Sequence, residues 1–223
     1  MKYRKKHEVN YWMSYADLMS AMLMVFALLL TLVILDYREL LEEKEKQIEE
    51  VVSVKSEIIR ALTDAFEESN VSIEIDQQTG AIRFPGSVLY EYNSSALSPQ
   101  GKDFLKDFVP KYLGILLQDR FKDEISSVII EGHTDKSGTY LYNMKLSQER
   151  AFSVLDFIYS NEMPKFDVRD LSKEYVTANG RSFTQPLENE NGEYDAAQSR
   201  RVEFLFRLKD DEAIKAIGEL VNE

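Results

Sequence analysis

The stretch IIEGHTDKSGTYLYNMKLSQERA, residues 129–151, carries the reading that decides the fold. Its start continues an apolar alternation from Ile125 through Glu131, with Val128 and Ile130 turned inward, the period-two pattern of a half-buried strand that Gly132 ends. Its end opens a helical pattern from Leu146 to Ser160 that buries Ala151, Val154, Leu155 and Ile158, with Ser147 placed as its cap. Asp135 leaves the strand end and Arg150 lies in the first turn of that helix. Packing the helix beside the strand therefore brings one fixed anion and one fixed cation to the same rim. A ligand bearing both an ammonium and a carboxylate would be held there at two points, with Arg150 offering a bidentate fork. Exposed N–H groups at the helix start add a preference for anions. The same two residues equally make an internal salt bridge between strand and helix, and spacing alone leaves both readings open.

Working outward, residues 71–84 alternate as a hairpin (Val71, Ile73, Ile75, then Ile82 and Phe84) around the turn-forming Asp76 to Gly80, and Val88 to Tyr90 reads as a further extended piece. Pro99 to Leu117 has helical periodicity through Phe104, Leu105, Phe108, Tyr112, Leu113 and Leu116. Ser98 caps it, Pro99 sits at a tolerated first-turn position, and Pro110 is expected to bend or interrupt it. Val176 and residues 200–208 (RRVEFLFRL) supply more strands, separated by a polar loop from Gln185 to Gln198 that reads as mobile, and residues 210–223 read as a terminal helix. Strands and helices in this order, with crossovers long enough for parallel pairing, predict an α+β chain whose main body is a two-layer α/β sandwich.

The N-terminal part is different in kind. Leu18 to Leu35 is an uncharged run of 18 residues. With Tyr11 to Asp17 in front it reaches the roughly 20 residues that cross a bilayer. Lys2, Arg4, Lys5 and Lys6 precede the span while Asp36, Glu39, Glu42 and Glu43 follow it, which predicts a cytoplasmic N-terminus and an outer body. A cleaved signal peptide is the rival reading, but the run is long for one and no small-residue cleavage site follows. Asp17 sits one turn inside the span, where an acid is tolerated mainly if it faces a partner, a water-filled path or an ion. It also suits the headgroup layer at the positive end of the helix dipole.

The expected division is a cytoplasmic tail at 1–11, a transmembrane helix at 12–35, a helical connector at 36–70, the outer domain at 71–209 and a terminal helix at 210–223. The connector has no Gly or Pro, and its apolar residues recur at three and four spacings, broken by Lys44 and Lys55. It reads as a stalk that pairs with its twin, docks on a partner or packs on the following domain, or as a plug that blocks ion flow. If wholly helical, its 35 residues span about 50 Å.

Of the 27 basic and 39 acidic residues, four basic and two acidic fall in the first 35, so the remainder carries a net charge of −14. That acidic body argues against nucleic acid as a partner, because phosphates require a basic stripe. The absence of cysteine excludes a disulfide framework and a lipidated cysteine anchor. His7 and His133 are the only histidines and fall on opposite sides of the span, which leaves no His-based zinc site or Ser–His pair. No phosphate-binding glycine loop is present, and no metal, resident cofactor or catalytic group is expected.

The segment from Ile129 to Gly138, followed by Asn143, Leu146-Ser147 and Arg150-Ala151 and later by Arg200-Arg201-Val202-Glu203-Phe204, resembles the OmpA-like peptidoglycan-binding domain over roughly residues 71–209. The resemblance implies that the ligand is the diaminopimelate of peptidoglycan stem peptides, its amine on Asp135 and its carboxylate on Arg150, in a site shaped by Thr134, Asn143 and Leu146. Arg201 is expected to tie the last strand to this rim.

Trp12 to Met22 (WMSYADLMSAM) resembles the membrane signature of MotB, the wall-anchored subunit of the flagellar stator. That resemblance implies that Asp17 carries a proton or sodium ion, that Ser20, one turn along the same face, donates to Asp17, ligates sodium or eases helix packing, and that two copies sit inside a pentamer of a MotA-like multi-pass partner, a 5:2 assembly containing a homodimer. The short N-terminal tail and proline-free connector also resemble the B subunit of the Zorya anti-phage system. Flagellar motor and defence system both remain open, as does a passive membrane-anchored tether to peptidoglycan.

Overall fold

The computed structural model describes residues 11–67, 73–91, 93–189 and 191–209. The chain separates into two units, Met1–Glu50 and Val51–Glu223. In order, its elements are α1 (Tyr11–Phe66), β1 (Glu74–Ile75), β2 (Ile82–Pro85), α2 (Gly86–Leu89), α3 (Pro99–Leu116), β3 (Ile125–Gly132), α4 (Tyr140–Tyr159), a 3₁₀ turn (Leu171–Glu174), β4 (Val176–Gly180), β5 (Leu187–Glu188), β6 (Tyr194–Asp195), α5 (Ala196–Ser199) and β7 (Arg201–Leu208). Residues 1–10 of the tail expected at 1–11, the terminal helix expected at 210–223 and Val71 lie outside the described residues, and Tyr11 is the first residue of α1.

Within the second unit, five strands form one sheet in the order β1-β2-β7-β3-β4. The last strand enters its centre antiparallel to β2 and β3, while β4 pairs parallel with β3 at the edge. Alternation fixes which side chains meet the helices. Val202, Phe204, Phe206 and Leu208 are buried, as are Ile82 and Phe84 on β2 and Val128 and Ile130 on β3. Phe108 of α3 is the hub, its ring 5.2 Å from Phe84, 5.0 Å from Phe204, 5.3 Å from Tyr112 and 5.1 Å from Phe66. Such pairs contribute about 0.5–1.5 kcal/mol beyond their area burial.

Several expectations are corrected. Pro110 lies inside α3 without ending it. The disruption costs about 3 kcal/mol, but Leu105, Phe108 and Val109 before it and Tyr112, Leu113 and Leu116 after it are all buried, each worth about 1.5–3 kcal/mol. Residues 86–89 are a short helix rather than an extended piece, and only Tyr90 makes a bridge, to Leu97. The 185–198 loop contains the β5-β6 hairpin and α5.

The second unit begins at Val51, twenty residues before the expected boundary at 71. Val51, Ile58, Ile59, Leu62 and Phe66 of α1 belong to the same hydrophobic core as the sheet, and Ile58 and Leu62 are fully buried. Arg120 pairs with Glu57 at the surface of this helix. The second half of the segment read as connector is therefore a structural helix of the domain. In the first unit, α1 carries the apolar run, and Leu18 and Met22 through Leu35 keep their large side chains exposed. It is the one helix among the described residues long and apolar enough to cross a membrane.

Candidate ligand site and membrane acid

The site forms where the ends of β3 and β4 meet the middle of α4. Two glycines permit this: a Cβ on Gly132 would collide with the Ser147 carbonyl, and one on Gly180 with the Gln148 backbone nitrogen. Side chains lock the approach. Ser147 Oγ accepts from the Ser182 amide at 3.0 Å and donates to the Met144 carbonyl at 3.0 Å. Gln148 donates to the Ala178 carbonyl at 3.1 Å and accepts from the Gly180 amide at 2.7 Å, pairing the free edge of β4 with a side-chain amide.

Ser147 is thus not a helix cap. The cap is Thr139, whose hydroxyl accepts from the Tyr142 amide, so α4 begins about two turns earlier than its apolar pattern indicates and Arg150 lies in its interior. The helix-start N–H groups expected beside Arg150 are consequently not there. Between β3 and α4 the chain turns through Gly138 at φ 93°, held by Asn143, which is buried and donates from Nδ2 to the Ser137 carbonyl at 2.8 Å.

Thr134, Asp135, Asn143, Leu146 and Arg150 all line one cavity of about 370 Å³, together with Pro85, Gly86, Tyr90, Asn93, Tyr142 and Arg200 among others. Asp135 and Arg150 share this cavity but do not bond to each other. Asp135 accepts from the Ser137 amide at 2.9 Å and from Arg200 Nη1 at 2.7 Å. Burial works to raise its carboxyl, and the Arg200 and Ser137 hydrogen bonds outweigh that, holding it below the usual range. Arg150 donates from Nε to the Ser94 carbonyl at 2.9 Å and stacks 5.2 Å over the Tyr90 ring, whose hydroxyl donates to the Arg150 carbonyl at 2.6 Å. Burial lowers the Arg150 pKa within the range where the guanidinium stays charged. Among the described residues no acceptor takes its Nη groups. Thr134 Oγ1 is buried at the same wall without a partner. The arrangement offers a carboxylate and two guanidiniums to one small polar ligand.

Sequence reasoning missed Arg200 as a cavity residue and assigned the rim to Arg201. The structure turns Arg201 to the other face of the sheet, where it pairs with Glu203 and donates from Nη1 to the Gln185 carbonyl at 3.0 Å. There it joins a buried ion network: Arg83 Nε lies 3.1 Å from Glu203 and Arg181 Nε donates to Glu131 at 2.8 Å. His133 Nε2 lies 3.7 Å from Glu131 and 3.9 Å from Glu203. Ligand atoms of Glu131, His133 and Glu203 fall within 4.8 Å of one another, a grouping that a count of histidines did not anticipate. Three guanidiniums already supply the cationic charge these carboxylates need, so a divalent ion would add uncompensated positive charge, and the grouping reads as a structural network.

In the first unit, Asp17 and Ser20 are exposed on α1. The Ser20 hydroxyl donates to the Ala16 carbonyl at 2.8 Å, one turn back, so its proton is spent on the helix and its lone pairs face outward.

Comparison with known proteins agrees with this layout. The OmpA family matches residues 89–200. The Zorya protein ZorB of Escherichia coli (Crooks strain) is 32% identical over 219 residues, covering 90% of this chain and 89% of that protein. ZorB of a second Escherichia coli strain is 27% identical and covers 94% of this chain and 87% of that one. Among solved structures, a putative MotB-like protein from Desulfovibrio vulgaris aligns over 74% of this chain and 98% of that chain, with 21% identity and a TM-score of 0.47. The chain therefore belongs to the OmpA family, whose model spans residues 89–200, and is similar to its ZorB relatives along nearly their whole length.

Proposed function

We propose that this protein is the peptidoglycan-holding subunit of an ion-driven, MotA/MotB-type stator. The observation that carries the proposal is the convergence of Thr134, Asp135, Asn143, Leu146 and Arg150 in one cavity of an OmpA domain. Asp135 receives the ammonium of a diaminopimelate residue, sharing its carboxylate with Arg200, and the Nη groups of Arg150 receive the carboxylate. Leu146 packs on the aliphatic part, and Thr134 forms the wall beside Asp135. A ligand lacking the carboxylate leaves the buried Arg150 Nη groups unpaired, whereas Asp135 keeps Arg200 and the Ser137 amide whether or not an ammonium is present, so the carboxylate carries the larger share of the selectivity. The role is binding, and no step of catalysis is assigned to any residue.

The N-terminal helix crosses the inner membrane with the N-terminus in the cytoplasm and the OmpA domain in the periplasm. Two copies sit within a pentamer of a multi-pass partner. Asp17 faces that partner, is neutralised by a proton or sodium ion and is recharged on release. Each change alters its burial cost by several kcal/mol and so the partner surface it prefers. Full-length likeness to ZorB favours a Zorya-type defence system over a flagellar motor.

Two measurements test this. Sacculus pulldown of the detergent-solubilised protein is expected to fall at least tenfold with Asp135→Ala or Arg150→Ala. Unchanged binding would return both residues to a structural role. Asp17→Asn, co-expressed with the partner, is expected to abolish phage protection while leaving pulldown intact, and full protection would leave a passive tether as the better reading.

A further inference from the structure

We infer that Tyr90 is the positioning residue of this site: its side chain holds both ends of Arg150, so that a ligand carboxylate is met end-on by Nη1 and Nη2. The inference rests on the carboxylate reading of Arg150 above and names what sets its selectivity.

The first observation is which donors of Arg150 are already spent. A guanidinium carries five N–H donors in one plane. Nε gives its proton to the Ser94 carbonyl at 2.9 Å. The four protons on Nη1 and Nη2 have no acceptor among the described residues, although Arg150 is only 6% exposed. A carboxylate bridges a guanidinium either along the edge shared by Nε and one Nη or across the two Nη groups. The Ser94 carbonyl takes the first edge and leaves the second. That second edge is at the cavity wall, since a Cβ built on Gly86, a lining residue, would lie 3.9 Å from Arg150 Nη1.

The second observation is a closed circuit of contacts through one residue. The Tyr90 ring centre is 5.2 Å from the Arg150 Cζ, and the Tyr90 hydroxyl donates to the Arg150 main-chain carbonyl at 2.6 Å. One side chain grips the head group and the backbone of the same arginine. The side-chain torsions between those two points must close the circuit, and few combinations of them do. A solvent-exposed arginine gives up its rotamers when it binds, whereas this one has given them up on folding.

Tyr90 is itself fixed. It is 3% exposed, its amide donates to the Gly86 carbonyl at 2.9 Å, and it bridges to Leu97. Attraction between a cation and a ring strengthens when water is excluded from both, as it is here. Phenylalanine in its place would keep the ring and open the circuit, and leucine would remove both contacts.

The test uses calorimetry on the full-length protein in detergent with two ligands: the tripeptide L-Ala-D-Glu-meso-diaminopimelate, and its analogue with the side-chain carboxylate amidated. The amide keeps the shape and the ammonium and loses the charge that Arg150 pairs with. The wild type is expected to favour the carboxylate form by about tenfold or more. Tyr90→Leu should abolish most of that ratio, chiefly by weakening the carboxylate form. Tyr90→Phe leaves the Arg150 carbonyl to the Ser153 hydroxyl, 2.9 Å away, and should fold normally while lowering the ratio about two- to fivefold. Equal weakening of both ligands by Tyr90→Leu marks a merely structural role and overturns the inference. Should the leucine variant not fold, an unchanged ratio in Tyr90→Phe overturns it instead. Equal binding of the two ligands by the wild type removes the carboxylate reading of Arg150, and binding of neither removes the peptidoglycan reading, the inference falling with each.

Discussion

Arg200 and Arg201 are neighbours in sequence that serve opposite sides of the domain. Strand alternation sends Arg201 to the face of Glu203, while Arg200, one residue before β7, closes on Asp135 at the cavity. The RRVEF motif identifies both as important, but which one meets the ligand depends on where the strand begins, and the sequence leaves that open. Thr134, Asp135, Asn143, Leu146 and Arg150 were legible because each occupies a fixed place in a recognisable motif, and all five reach one cavity. His133 has a measurable signature. Burial and the nearby Arg201 push it from 6.5 to about 3, so the native state holds it neutral while the unfolded chain takes up a proton. Its contribution is whole above pH 6.5 and declines as pH falls towards 3, by up to about 1.4 kcal/mol per pH unit. Asp76, Asp135 and Glu203, held below their ordinary values of 3.8 and 4.5, add to the acid loss only at lower pH. Urea unfolding between pH 4.5 and 6.5 should therefore show stability falling in the wild type and nearly level in His133→Gln. Parallel slopes would mean that His133 is already charged in the fold.

At the level of elements, the strands of the five-stranded sheet and the Ser98-capped helix α3 were readable because alternation and capping are local signals. The start of α4 was not, because its first two turns, Tyr140 to Leu146, lack the apolar stripe that marks the rest. The available signal was weaker: no Gly or Pro occurs from Thr139 to Met163, right after Gly138. Which part of α1 belongs to the domain was left open for a different reason. A stripe of Val51, Ile58, Ile59, Leu62 and Phe66 declares a face to be covered and not what covers it, and a twin helix, a partner and the domain itself all satisfy the pattern. The structure chooses the domain. Leu62→Ala should then destabilise it by about 2–5 kcal/mol, as for any buried leucine, whereas Val52→Ala, at a position 54% exposed, should stay within about 0.5 kcal/mol. Denaturation of the full chain monitored by far-ultraviolet dichroism decides this, and similar small losses in both variants would detach the segment from the core.

For the molecule as a whole, the cluster of Lys2, Arg4, Lys5 and Lys6 just before the apolar run is what predicts its orientation. Because the chain has no cysteine, one introduced thiol reports without background. Lys145→Cys, at a side chain 78% exposed, should react with a membrane-impermeant maleimide in intact spheroplasts. Labelling only after lysis would place the domain in the cytoplasm and end the wall-holding reading. The packing of residues 51–66 into the domain also sets how the molecule answers a pull. Tension arriving from the N-terminal side enters through a helix whose Ile58, Leu62 and Phe66 are seated together in the core. It must shear those side chains out as a group, whereas a strand loaded from a free end would peel away one hydrogen bond at a time. A segment seated in this way holds its length under load and then gives way abruptly.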